Sequence, residues 1–363
     1  MENSSTITSK PIIQLLKKIA IPASTGSIFQ TLFNIVDTFF AGKISSDALA
    51  ALAKSFPLYF IIISAGIGIV AGCNSLISNS LGQRNRFAAL IYSHHTFIYS
   101  ILLSIIITTL GILFSYDILK LMGSSSESII LAKKYTDIIF YGTVFFLILT
   151  SLNAILYSQG DTKTYRNVLI VGLFANILLN PIFIFGFLFI PAFGIAGLAI
   201  STILIQFFAC VYLYYKVNQT ILKINFKTES FLIRKNFFLN IFNQCMPITF
   251  ALFLVALGSY LILSFISVFG DEAVAGYGAA IRFEHIFTLP VIGLNTAVIT
   301  IAGQNFGARR YDRVRETYKK ATFIGFIIMC LSGIVIFLLS EFIISLFTND
   351  LEVIKFGSNY LRI

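Results

Sequence analysis

The chain has 363 residues, 57% hydrophobic and only 12% charged, with a mean hydropathy of +0.88. A soluble domain carries about 25% charged residues and must show water a polar face. That excludes a soluble globular protein and predicts a polytopic membrane protein. The net charge of +10 would suggest nucleic acid in a soluble chain, but here the orientation of the loops accounts for it.

The opening "MENSSTITSKPIIQLLKK" lacks the charged-then-apolar pattern of a cleaved leader, so no signal peptide is expected. Crossing a bilayer takes about 20 apolar helical residues. Runs of that size lie near 12–41, 48–80, 87–116, 129–157, 164–190, 193–215, 235–268, 273–305 and 317–348. They predict nine spans, with a tenth opening at "VIKFGSNYLRI". The runs are too long for barrel strands and do not alternate. With the N-terminus inside, the inner segments hold 18 of the 26 Lys and Arg residues, and the outer loops only Lys43 and Lys120. This positive-inside pattern puts the charge on the cytoplasmic membrane surface, with no nucleic-acid partner expected.

Shifting the sequence by 225 positions without gaps pairs Pro22 with Pro247, Phe40 with Phe265, and Ala48 and Ala50 with Ala273 and Ala275. It also pairs Gly68 with Gly293, Gly82 with Gly307 and Arg84 with Arg309. Six spans precede the second copy, so the halves are parallel repeats. The expected domains are an N-lobe over 1–215, a cytoplasmic linker over 216–236 and a C-lobe over 237–363. The second half holds only about three and a half spans where the repeat requires six. A fragment of a twelve-helix protein is expected, with a natural ten-span protein as the competing reading.

The polar residues inside the spans are the candidate site. On the first span Ser27, Gln30, Asn34 and Asp37 are spaced 3, 4 and 3, which puts them on one face. Asp37 is the only ionisable residue between Lys18 and Lys43. A charge in the hydrocarbon core costs about 2.5–3.5 kcal/mol, so one that persists there suggests function, here binding of a proton. The competing reading is a structural hydrogen bond to a neighbouring helix. Pro22 either kinks this helix or stands in its first turn. His94 and His95 on the third span read as buried polar groups, and no metal-type spacing accompanies them. Asn153 and Tyr157 on the fourth span, Asn176 and Asn180 on the fifth, and Thr202 and Gln206 on the sixth are i, i+4 pairs. Each pair is a ligand set or interhelical glue. Arg282 and Glu284 on the eighth span are expected to neutralise each other. Cys73, Cys210, Cys245 and Cys330 read as small apolar residues in helix interfaces.

Several stretches carry a family resemblance. "PASTGSIFQTLFNIVDTFFAGKISSDALAALAKSFPL", "GIGIVAGCNSLISNSLGQRN", "NAILYSQGDTK", "NILLNPIFIFG", "GIAGLAIST" and "VAGYGAAIRFEHIFTLPVIGLNTAVITIAGQNFGARR" occur in order. In this the chain resembles the multidrug and toxic compound extrusion (MATE) transporters, in particular their DinF-like and MepA-like branch. The resemblance implies an all-α fold of two parallel-repeat six-helix bundles, with the second bundle incomplete. It implies a secondary antiporter, not an enzyme, that exports organic, often cationic compounds in exchange for inward H⁺ or Na⁺. No other cofactor is expected, and the partners are small organic cations or amphipathic drugs and the bilayer, with the protein a monomer.

The resemblance makes Asp37 the central cation-binding acid, with Asn153, Asn176, Asn180 and Thr202 around it. Pro22, Gln30, Asn34, Tyr157, Gln206 and Glu284 become cavity or conformational residues. Relatives of this branch usually read "NxxLDP", so Asn180 stands in place of a second acid. The NorM-like glutamate of the seventh helix is absent near Val255. A lipid-linked precursor flippase of the same superfamily is the alternative, but few Lys or Arg residues lie inside the spans of the first half to hold a diphosphate.

Overall fold

The structure, a computed structural model, describes residues 2–121, 126–224, 234–346, 348 and 350–363. Its helices are α1 (Glu2–Ser9), α2 (Ile12–Ile44), α3 (Ser46–Gly82), α4 (Arg86–Leu121), α5 (Ser126–Ser158) and α6 (Lys163–Phe185). They continue with α7 (Ile195–Asn218), α8 (Lys235–Ile266), α9 (Asp271–Gly307), α10 (Tyr311–Ser345) and α11 (Leu351–Arg362). Among the described residues nine helices, α2 to α10, are long and apolar enough to cross a membrane. They coincide with the nine apolar runs. Helix α1 carries no apolar run and is not apparent from the sequence.

Local chemistry sets the helix ends. Ser45 caps α3 by accepting the Ala48 N–H at 3.0 Å, and Asp350 caps α11 by accepting the Glu352 N–H at 2.9 Å. Helix α6 stops at Phe185, short of the expected 190, because Gly186 takes a φ of +83°. That left-handed conformation ends a helix and suits glycine. Pro22 lies in the third turn of α2, so it is an interior proline and not a first-turn one.

The 225-residue repeat is present in the backbone. Arg84 and Arg309, both non-glycine, take φ values of +57° and +58°. In the first turn Arg84 N–H bonds Leu81 O and Asn85 N–H bonds Ser80 O, each at 3.0 Å. In the second Arg309 N–H bonds Phe306 O at 3.0 Å and Arg310 N–H bonds Asn305 O at 2.9 Å, the same pattern moved by one repeat.

The two copies also meet reciprocally. A Cβ on Gly68 would strike the Thr249 hydroxyl and Cys245 O, and one on Gly293 would strike the Ser24 hydroxyl and Ala20 O. Likewise a Cβ on Gly82 would fall on Gln304 O, and one on Gly307 on Asn79 O. Each contact is its partner's image under the repeat, as across a two-fold axis. Helices α2 and α3 of the first copy therefore pack against α9 and α8 of the second.

The principal core joins α3, α4, α5 and α7, with Ile241 and Cys245 of α8 added to it. A second core joins α1 and α2 to α9 and α10. The apolar stretches of α8 and α10 are 0% and 6% buried, which leaves most of their side chains exposed. Water would penalise that arrangement and lipid would not.

Candidate cation site

Helices α2, α6 and α7 converge on Asp37. The apolar residues Phe33, Leu173 and Ile205 pack together one turn away and fix the three helices relative to one another. Asp37 lies seven residues before the end of α2, about 10 Å along the axis. It is only 7% exposed.

Asp37 Oδ1 accepts two amide N–H bonds, from Asn176 Nδ2 at 2.8 Å and Asn180 Nδ2 at 3.0 Å. The i, i+4 spacing on α6 brings both amides to one oxygen. Asn180 Nδ2 also donates to Asn176 Oδ1 at 3.2 Å. The Ser201 hydroxyl of α7 donates to Asn180 Oδ1 and so orients that amide. Thr202 lies against the carboxylate from the same helix. Every one of these partners is neutral, so dipoles and not a counter-ion hold the acid. That leaves the carboxylate able to take a proton or a small cation.

Two other candidates from the sequence, Asn153 and Gln206, do not share the Asp37 hydrogen bonds but each carries an oxygen without a protein partner. Asn153 Oδ1 and Gln206 Oε1 are buried without a hydrogen bond. Such groups are costly to leave unpaired, and carbonyl oxygens are good ligands for hard cations. Tyr59 of α3, half-buried, and Tyr135 of α5, buried, lie within electrostatic reach of Asp37. Neither they nor Ser201 is apparent from sequence, because only tertiary packing brings them into the neighbourhood of the acid. No cluster of three or more His, Cys, Asp or Glu residues suited to a metal occurs among the described residues.

The MatE family profile matches residues 22–182 and 247–363, two stretches that begin at the paired prolines. This chain belongs to the MatE family. It is 29% identical to the probable multidrug resistance protein YoeA of Bacillus subtilis, over 98% of this chain and 78% of that protein. It is 28% identical to the probable multidrug resistance protein NorM of Thermotoga maritima, over 96% of this chain and 75% of that one. An FAD transporter of Shewanella oneidensis is 25% identical, over 100% of this chain and 80% of that protein. Among solved structures, a MOP superfamily transporter from Pyrococcus furiosus superposes with a TM-score of 0.92 at 23% identity. A MATE family transporter described in an outward-facing conformation gives the same TM-score and identity, and both comparisons cover 100% of this chain and 80% of the other. MatE proteins are transporters, not enzymes.

Other polar residues of this MatE chain lie outside the Asp37 cluster. Gln30 is half-buried and Asn34 is exposed, so only part of the α2 stripe faces protein. Tyr157 is buried, and its backbone carbonyl accepts the Thr300 hydroxyl from α9 at 3.0 Å. The expected Arg282–Glu284 pair is absent from the ion pairs of the described residues. Residues i and i+2 on a helix point away from each other, and Glu284 instead accepts from the Tyr360 hydroxyl at 3.4 Å.

His95 is fully buried, with Nδ1 2.9 Å from Ile91 O and Nε2 accepting the Arg234 N–H at 2.8 Å. That pattern requires the neutral Nδ1–H tautomer. His95 thus pegs the end of the linker that precedes α8. Cys73, Cys210 and Cys245 are buried as expected, whereas Cys330 is exposed on α10.

Proposed function

We propose that this chain is the transporting core of a secondary antiporter. It exports organic, often cationic compounds in exchange for inward H⁺ or Na⁺, and no cofactor other than that ion takes part. The observation that carries the reading is Asp37, a buried carboxylate inside a membrane span whose partners are all neutral. Asn176, Asn180 and Thr202 line the cation site, and Asn153 and Gln206 add oxygens to it. Gln30, Asn34, Tyr157 and Glu284 belong to the substrate cavity or its moving parts, and Pro22 to a bend in α2.

The seam between the repeats supports alternating access. The lobes are residues 1–215 and 237–363, linked by 216–236, and they move as a monomer in the bacterial cytoplasmic membrane. At the basic end the seam is closed by polar contacts. Asn74 Nδ2 donates to Thr300 Oγ1 at 3.0 Å, and Gln304 Nε2 donates to Ser158 O at 2.7 Å. Hydrogen bonds of this kind can be exchanged for water at little net cost, which suits a contact that opens and closes. With the basic end cytoplasmic, this conformation is the outward-facing one. The cation at Asp37 and the exported compound each favour a different state, and only such differential affinity can couple them.

The test is Asp37→Asn in the full-length protein. Export of a fluorescent organic cation is followed in vesicles under an imposed H⁺ or Na⁺ gradient. The reading expects gradient-driven export to fall to background under both gradients. Export equal to wild type under both would sink it.

A further inference from the structure

Helix α1 lies across the seam at the basic end, and both copies of the repeat hold it. On the first-copy side, Ile7 packs over the α5–α6 turn: a Cβ on Gly160 would stand only 2.9 Å from Ile7 Cδ1. Thr6 and Ile7 share with Lys18, Gln159, Asp161 and Lys163 the walls of a cavity of about 230 Å³. On the second-copy side, two arginines at the start of α10 grip the end of α1. Arg310 Nη1 donates to Thr8 O at 2.8 Å. Arg313 Nη2 donates to Lys10 O at 2.6 Å and to Ile7 O at 3.4 Å.

Asn305 of α9 steadies Arg313 by accepting from its Nε at 2.9 Å. Guanidinium groups suit this place, because the carbonyls at a helix C-terminus carry the negative end of its dipole. Ile7 is 4% exposed and belongs to one apolar core with Leu15, Leu16, Ile19, Leu294 and Ala321. An eight-residue polar helix is too short to hold itself together in water. Its order therefore comes from these contacts, and they require the two copies to be in register.

We propose that α1 is a latch that favours the state closed at the basic end, with Arg313 as its main catch. When the seam parts, the α5–α6 turn and the start of α10 separate. Helix α1 cannot then keep Gly160 on one side and Arg310 and Arg313 on the other. The latch thus sets the equilibrium between the two states without touching substrate or coupling ion. This proposal rests on the alternating-access reading above.

The chain carries its own reporters. Cys73 and Cys245 are fully buried and face each other across the seam, with their sulfurs 3.7 Å apart. N-ethylmaleimide reaches them only when the seam parts, so their labelling rate tracks the open population. Cys210 is buried within the first copy, where it donates to Phe145 O at 3.0 Å, and serves as the internal control. The variants are Arg313→Ala, Arg313→Lys and a chain lacking residues 2–9, each read by peptide mass spectrometry in vesicles.

Removing charge-assisted bonds of this kind should raise labelling of Cys73 and Cys245 roughly ten-fold in Arg313→Ala and in the shortened chain. Arg313→Lys should give a smaller rise, and Cys210 should keep its rate. Unchanged labelling of the seam cysteines in both Arg313→Ala and the shortened chain overturns the latch, and so does an equal rise at Cys210. The assay needs no transport. A latch response together with cation-independent export would discard the exchange reading and leave the latch standing.

Discussion

At the scale of single residues, the organising fact is a carboxylate kept where a charge costs about 2.5–3.5 kcal/mol. Its spacing within α2, and the i, i+4 amides at Asn176 and Asn180, are legible in the sequence because helical periodicity survives in one dimension. The orientation of the amides is not. Ser201 takes the Asn180 carbonyl, and that turns the Asn180 amide N–H toward Asp37. Serine within an apolar run carries no such signal, and neither do Tyr59 and Tyr135, which lie within electrostatic range of the acid on other helices. Asn34 lies on the same stripe but is exposed and stands apart from the hydrogen bonds around Asp37. Asn180→Asp would set a second carboxylate against the first. Two acids in contact share a proton or sodium ion more avidly than one. The cation concentration giving half-maximal export should fall roughly ten-fold, the equivalent of about 1.4 kcal/mol. A rise in that concentration would show that Asn180 does not face the ion.

At the scale of elements, close approach of helix backbones fixes the geometry. Gly82 and Gly307 stand where any side chain would strike the opposite copy's backbone. Glycine at these positions is legible as a repeat, since identical residues recur 225 apart, but its reason appears only when the copies are seen to interlock. Gly307→Ala should destabilise the protein by about 1–3 kcal/mol, because the neighbour it meets is backbone and cannot rotate away. Gly333→Ala, which meets no atom within 4 Å, should be neutral or slightly stabilising for a helix-interior glycine. Thermal unfolding of the two variants in detergent makes the comparison, and equal melting points would contradict the interlock. Helix α1 escapes sequence reading for a related reason. It has no apolar periodicity of its own, and tertiary contacts supply its order.

At the scale of the molecule, the two repeats form a seam that is glycine-tight and polar at the basic end. The Asp37 site lies away from that seam, within α2, α6 and α7. Pro22 and the Ser24 hydroxyl, which donates to Pro290 O at 3.1 Å, connect the two regions along α2. Occupancy of the acid can therefore act on the seam through a single helix. The central claim is that cation and exported compound exclude each other through Asp37. The most direct measurement uses purified full-length protein in weakly buffered detergent solution. Ethidium is added while a pH-sensitive dye reports protons and a radiotracer reports sodium. The account predicts that wild type releases H⁺ or Na⁺ as ethidium binds and that Asp37→Asn releases neither. Equal release from both proteins would contradict it.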